Sequence, residues 1–361
     1  MILKHRDREL LKFEWTANGV RIVSFDERFR RFLPLDFREN STDAALWTWL
    51  KRRVIPRNRQ YVMNFLARAG LRSWDVRGII ALSRGLSLNY VHWVVDDGFS
   101  GKWSDRNLYD NEFYPALAFA AFTGGGQISS PESSTSPELK TNGMLAKCWR
   151  RIDGQETLFK RGSEGAANAG FEPYSEYHSA QLAEAMGLHH VEYGLAKFKG
   201  RLCSTCRLFA SDKVGFVPAA RLCTTAAALR DSRFADIFLF DAVILNTDRH
   251  LGNFGYLIDN DTNEITRAAP IFDNGYGLFS SAIYRKKYVD DFANLGKFAG
   301  TLKPALYNYW LDFPTGVSDE SRERLSRLSG FRFKRHPNYN IPAGHLRAIE
   351  DFILRRISQI A

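Results

Sequence analysis

Asn246-Thr-Asp-Arg-His-Leu-Gly-Asn-Phe-Gly255, followed by Pro270-Ile-Phe-Asp-Asn-Gly275, is the stretch whose reading decides this chain. It sets Asp248, Asn253 and Asp273 in the order that phosphoryl transfer requires. A carboxylate must stand beside the attacking hydroxyl, and an amide oxygen and a second carboxylate must hold Mg²⁺ against the nucleotide phosphates. The triplet Asp248-Arg249-His250 inverts the His-Arg-Asp order usual in such loops, but Asn253 keeps the five-residue interval after the Asp.

Asp248 is therefore the expected catalytic carboxylate, orienting an acceptor hydroxyl and taking its proton late in transfer. An Asp-Arg-His triplet alone reads equally well as an ordinary turn. The downstream Phe272-Asp273-Asn-Gly275 is what favours the chemical reading. Asn253 and Asp273 are the expected Mg²⁺ ligands, since Mg²⁺ takes hard oxygen donors and keeps several waters. His250 has two readings, as a hydrogen-bond partner within the loop or as a group that steadies the transferring phosphoryl.

Working upstream, Met144–Ile152 and Gln155–Lys160 read as a hairpin closed by Asp153-Gly154. Lys160 ends its second strand, where an ammonium would hold nucleotide phosphates as a point charge; Lys147 in the first strand competes for that role. Pro173–Met186 has helical spacing. Glu176 in its first turn is the expected partner of Lys160, with Glu172 the alternative. Before the hairpin, residues 124–143 turn rich in Gly, Ser and Pro. On composition this is a linker; with strands on both sides it reads as a loop covering phosphates. Cys203-Ser-Thr-Cys206 has metal-knuckle spacing but no second pair to match, so two structural thiols are expected.

Residues 1–113 read as a separate module, with a strand pair turned at Asn18-Gly19. Three short helices follow, Tyr61–Ala69, Asp75–Ser83 and Leu86–Val94. Plain helical packing is the preferred reading over a helix-turn-helix, and DNA binding by this module alone is not expected. Phe234–Leu245 is a strongly apolar helix, and helices are expected over Asp291–Lys297, Leu302–Leu311, Ser318–Leu328 and Gly344–Ile360. The order gives an α+β, two-lobed arrangement: residues 1–113 the extra module, 114–215 a β-rich lobe with the nucleotide loop, and 216–361 a helical lobe.

Composition sets bounds on the rest. The 361 residues are 45% hydrophobic, enough for a sizeable core. No apolar run is long enough to span a membrane, the start lacks a signal-peptide core, and four cysteines fit a reducing cytoplasm. A net charge of +10 without long Lys/Arg runs reads as the basic surface of a nucleotide enzyme.

The two C-terminal motifs, with Glu172-Pro-Tyr-Ser-Glu-Tyr177 and Leu182-Ala-Glu-Ala-Met-Gly-Leu188, resemble those of the HipA-like kinases, the CtkA-type kinases included. The resemblance covers roughly residues 125–355 and favours Glu176 as the Lys partner. It implies a bilobal protein-kinase-like fold, ATP and Mg²⁺ as cofactors, and transfer to protein Ser/Thr. It also implies a toxin role with an antitoxin partner, a translation component as substrate, and autophosphorylation of a loop serine that switches activity off. Ser129, Ser130, Ser133, Ser134 and Ser136 are the candidates, Ser134 and Ser136 standing closest to Glu138-Leu-Lys140 at the loop's end and to the nucleotide. This loop is longer and richer in Ser and Pro than the family pattern. A phosphatidylinositol-like lipid kinase or a small-molecule kinase is the alternative, since lipid kinases also use an Asp-Arg-His loop.

Overall fold

The computed structural model describes residues 1–71, 74–126, 136–164, 170–280, 295–308, 310 and 317–360. It is a mixed α/β protein with several sheets and helices. Two compact units are each assembled from separated stretches. The first takes Met1–Leu158, Leu208–Val217 and Leu257–Thr266; the second takes Phe159–Arg207, Pro218–Tyr256 and Arg267–Ala361. The divisions at 113/114 and 215/216 follow motifs along the chain, whereas packing groups stretches that are distant in sequence.

In the first unit, β1 (Ile2–His5), β2 (Arg8–Thr16), β3 (Gly19–Phe25) and β4 (His92–Val95) form a sheet in the order β3-β2-β1-β4. The Asn18-Gly19 hairpin is present, with Thr16 opposite Gly19. Phe13, Phe37, Leu46, Trp49, Phe65 and Ile79 fill the core beside this sheet. The expectation of a helix over Leu86–Val94 is corrected. The Val76–Ser83 helix stops at Arg84 and Gly85, both at positive φ, and the chain runs on into β4 antiparallel to β1. A short apolar run does not reveal its own period. Here the β-branched and aromatic residues of Val91-His-Trp-Val-Val95 meet the open edge of β1, and pairing decides. Only Val62–Arg68 and Val76–Ser83 remain of the three expected helices.

The hairpin of β5 (Lys147–Ile152) and β6 (Gln155–Arg161) is as expected. Asp153 and Gly154 both adopt positive φ, the requirement of the tight turn that matches strand twist. Ahead of it stands a correction. Residues Pro115–Thr123 form a helix ended by Gly124 at φ 73°, so a helix rather than a strand leads into the Gly/Ser stretch. Ser129, Ser130, Ser133 and Ser134 lie outside the described residues.

In the second unit the end of β6 is followed across its sheet by β8 (Arg201–Arg207) and then β7 (Gly194–Phe198). The helix Glu172–Ala185 carries Pro173 in its first turn and buries Glu172, Ser175, Glu176 and Ser179. The helix Ala235–Ile244 is buried from Ile237 to Ile244 and ends at Leu245 in the left-handed region, which turns the chain sharply into the Asp248 loop. Leu182, Phe238, Phe240, Ile271 and Ile353 belong to the core around it. A strand pair the sequence reading missed, β10 (Gly255–Asp259) and β11 (Glu264–Ala268), joins with β9 (Val214–Pro218) in the order β11-β10-β9, a sheet whose residues belong mostly to the first unit. It returns the chain from the Asp248 loop to Asp273.

Near the C-terminus, the helices Asp319–Ser326 and Ala343–Ile360 match expectation. The helix expected from Asp291 is described only from Leu295, as Leu295–Ala299. The expected helix over Leu302–Leu311 is not formed in its described part, residues 302–308 and 310, because Pro304 disfavours helical backbone at Lys303. No described helix is long and apolar enough to cross a membrane.

Candidate active site

Four chain segments of the second unit place the side chains singled out above. Lys160, near the end of β6, is the centre of the arrangement. Its Nζ donates to Glu176 Oε1 at 2.7 Å and makes an ion pair with Asp273 Oδ1. Lys147 is elsewhere: its Nζ donates to the carbonyl of Asn142. Glu172 also has another task, accepting the amide of Ser163. Of the alternatives open at the sequence level, the structure therefore joins Lys160 with Glu176.

Burial by itself would lower the Lys160 ammonium, but the carboxylates of Asp273 and Glu176 outweigh it and hold the amine protonated well above its ordinary range. Glu176 is fully buried. Desolvation pushes its carboxyl up, against Lys160 and the Asn274 amide, which donates to its Oε2 at 2.7 Å. Both oxygens of Glu176 are thus engaged, one by the lysine and one by the backbone just after Asp273.

Asp273 sits at φ 59°, a conformation Asp tolerates better than most residues. Its amide donates to the hydroxyl of half-buried Tyr193 at 3.2 Å, and its strand is pinned by Ile271 N to His189 O and Val191 N to Ile271 O. Left-handed backbone at a non-glycine residue persists only where its surroundings impose it, and such residues cluster at functional sites.

Asp248 is exposed, with its amide donating to Asn246 Oδ1 at 3.2 Å. Partial desolvation raises its carboxyl; His250 opposes this and Asp273 adds to it. The amide nitrogen of Asn253 donates to Asp248 O at 3.0 Å, so the amide oxygen is the end of that side chain that could take a metal. His250 is exposed, and its Nδ1 accepts the Gly252 amide at 3.0 Å, so it serves as a hydrogen-bond partner inside the loop.

Asn253 and Asp273 are hard oxygen donors of the kind Mg²⁺ takes. Among the described residues no group of three or more His, Cys, Asp or Glu side chains is placed to hold a metal alone. A metal here would complete its shell with phosphate oxygens and water. Cys203 and Cys206 are free thiols on β8. Burial pushes the Cys206 thiol up to about 12, with Tyr193 hydrogen-bonded to it.

Ser136, the one described candidate of the serine loop, is buried and caps the turn Pro137–Leu139 through the Glu138 amide. Just beyond, Glu138 and Arg59 form a fully buried ion pair, and Glu138 Oε1 accepts the Trp149 amide at 2.7 Å.

The sequence reading missed the residues that join these parts. Arg249, within the quoted stretch, is buried and pairs with Asp241 on the apolar helix. Asn246, Asn274, Ser175 and Tyr193 are further partners. One signal was legible: of the two carboxylates in Phe234–Leu245, Asp236 falls in the first turn but Asp241 falls inside the apolar run, and a buried carboxylate demands a cationic partner.

No family model matches the chain. In sequence it is similar to the serine/threonine-protein kinase CtkA of Helicobacter pylori strain J99, 27% identical over 135 residues, which is 30% of this chain and 41% of CtkA. The match therefore spans less than half of that relative. The crystal structure of the Helicobacter pylori proinflammatory kinase CtkA aligns with 17% identity and a TM-score of 0.44 over 61% of this chain and 88% of CtkA. HipA of Shewanella oneidensis MR-1, solved as a toxin–antitoxin complex with HipB and operator DNA, aligns at 10% identity and a TM-score of 0.54. That alignment covers 99% of this chain and 96% of HipA, so the likeness of fold includes residues 1–113. The resemblance to HipA-like kinases carried by the motifs is borne out, by CtkA in sequence and by HipA in fold.

Proposed function

We propose that this chain is an ATP- and Mg²⁺-dependent protein serine/threonine kinase of HipA-like type. The observation that carries the reading is the Lys160 ammonium shared between buried Glu176 and Asp273, in a unit whose Asp248 loop carries Asp248 and Asn253. The arrangement proposed is bilobal, with residues 114–215 as the nucleotide lobe, 216–361 as the helical lobe, and 1–113 as an added module.

In this reading Lys160, held in place by Glu176, binds nucleotide phosphates as a fixed point charge. Asn253 and Asp273 would hold Mg²⁺, whose charge would offset that of the phosphates. Asp248 accepts a hydrogen bond from the acceptor hydroxyl and takes its proton; the upward shift of its carboxyl makes it the better base. His250 fixes the loop through the Gly252 amide. A loop serine among Ser129, Ser130, Ser133, Ser134 and Ser136 is the proposed site of self-phosphorylation. A phosphate there would add about two negative charges to compete for the cations that receive ATP. At Ser136 it would first require the hydroxyl to leave its cap on Glu138. The partners proposed are a protein substrate and, from the likeness to HipA, an antitoxin protein.

The test is incubation of purified wild type and Asp248→Asn with Mg²⁺ and γ-labelled ATP, followed by mass spectrometry. Label on a serine between Ser129 and Ser136, absent in the variant, supports the reading. Label found in added phosphatidylinositol vesicles instead of protein would overturn it in favour of a lipid kinase.

A further inference from the structure

Arg249 uses every donor it has. A guanidinium carries five N–H groups in a fixed plane. Here Nε donates to Asp241 Oδ2 at 2.9 Å, and Nη2 to Asp241 Oδ1 at 3.0 Å and Asn274 Oδ1 at 2.6 Å. Nη1 donates to the carbonyls of Asn253 at 3.0 Å and Phe272 at 2.5 Å. Five donors meet five acceptors, and Arg249 and Asp241 are almost wholly buried, their side chains 3% and 2% exposed.

The choice of acceptors matters more than their number. Asn253 and the two neighbours of Asp273 are contacted by one rigid plane whose far edge is clamped, two-pronged, to the helix Ala235–Ile244. Asn246 adds to the clamp, donating to Asp241 Oδ1 while its own oxygen accepts the Asp248 amide. Asn274, held by Arg249 through its side chain, is held by Glu176 through its backbone. The ion pair and the satisfied network leave no buried donor of Arg249 over.

We infer that Arg249 is a positioning residue: its guanidinium sets the spacing between the Asn253 oxygen and the Asp273 carboxylate, and Asp241 sets the guanidinium. The inference rests on the proposed kinase reading, in which those two residues are metal ligands. It assigns Arg249 no contact with substrate or phosphate. A lysine at 249 would keep the charge opposite Asp241 but offer three donors from one point, and so cannot brace both loops.

The experiment uses the full chain. Mn²⁺, as a spectroscopic stand-in for Mg²⁺, is titrated by electron paramagnetic resonance with a non-hydrolysable ATP analogue, into wild type, Arg249→Lys and Asn274→Ala. The last removes a single arm of the brace and spares the Asp241 pair, so it remains informative if Arg249→Lys does not fold. Thermal unfolding without metal is measured alongside, and labelled transfer is followed against Mg²⁺ concentration. The expected result is a tenfold or greater weakening of Mn²⁺ for Arg249→Lys, a smaller weakening for Asn274→Ala, and a matching rise in half-saturating Mg²⁺. Transfer at saturating metal should recover to within a few-fold of wild type. Wild-type metal affinity in a folded Asn274→Ala and Arg249→Lys, with transfer merely tracking the folded fraction, would overturn the brace and leave the kinase reading standing. A wild type that neither binds Mn²⁺ with nucleotide nor transfers label would overturn the kinase reading, and the inference with it.

Discussion

Replacing Glu176 by Gln conserves volume and shape but removes one of two acceptors. The wild-type carboxylate takes the Lys160 ammonium on Oε1 and the Asn274 amide on Oε2, both at 2.7 Å. Glutamine offers one oxygen and one NH₂, so one of those donors must face another donor. A hydrogen bond to a charged group contributes about 1.5–3 kcal/mol, and stripping a partner from a buried ion pair costs about 3–5 kcal/mol. Lys160 still keeps Asp273, so the loss should fall at the low end, about 2 kcal/mol. Glu176→Ala, which abandons both donors, should cost about 3–5 kcal/mol. Urea unfolding followed by tryptophan fluorescence measures both. Combining Glu176→Gln with Lys160→Met closes a double-mutant cycle whose coupling should be about 1–3 kcal/mol. A Gln variant within about 0.5 kcal/mol of wild type, together with additive single effects, would refute the claim that this pair is formed and buried.

Asp248→Asn should leave unfolding unchanged and lower labelled transfer by about 10²–10⁴-fold, the range of a lost general base; unaltered turnover would remove Asp248 from the chemistry. Glu138 supplies a pH test. Burial raises its carboxyl from 4.5 to about 7, with Arg59 opposing. Between those values the folded chain keeps a proton that the unfolded chain has released. Its contribution is therefore full below about pH 4.5 and is lost as pH climbs through about 7, by roughly 3 kcal/mol at 1.36 kcal/mol per unit. Glu138→Gln should flatten the slope of unfolding free energy between about pH 5 and 7, and an unchanged slope would show that another group sets it. Asp153→Val forces a β-branched residue into the left-handed turn of the β5–β6 hairpin and should cost about 1–3 kcal/mol in the same unfolding assay.

Much of the site was legible because its chemistry is written in short intervals. Asp248, Asn253 and their separation lie in one loop, and Asp273 follows within twenty residues. Such local spacing survives any uncertainty about the fold. Glu176 was harder: the sequence offered two acids in one helical turn, and only the burial of both, one toward Ser163 and one toward Lys160, separates them. Strand β4 was misread as helix because its partner, β1, is four residues long and far away in sequence. The β10–β11 pair was missed, with β11 too exposed to show apolar alternation.

The sequence by itself singled out Asp248, Asn253 and Asp273, since each is a residue type at a fixed chain interval. It also determined the amphipathic and apolar helices, whose period is a local property. Only the tertiary structure decided which lysine meets which glutamate, and that Arg249, flanked by Asp248 and His250, is the buried plane joining Asp241, Asn253, Phe272 and Asn274. The physical reason is burial. Whether a charge is worth anything depends on which opposite charge and which backbone groups share its low-dielectric surroundings, and that is set by segments up to 113 residues apart, as Lys160 and Asp273 are.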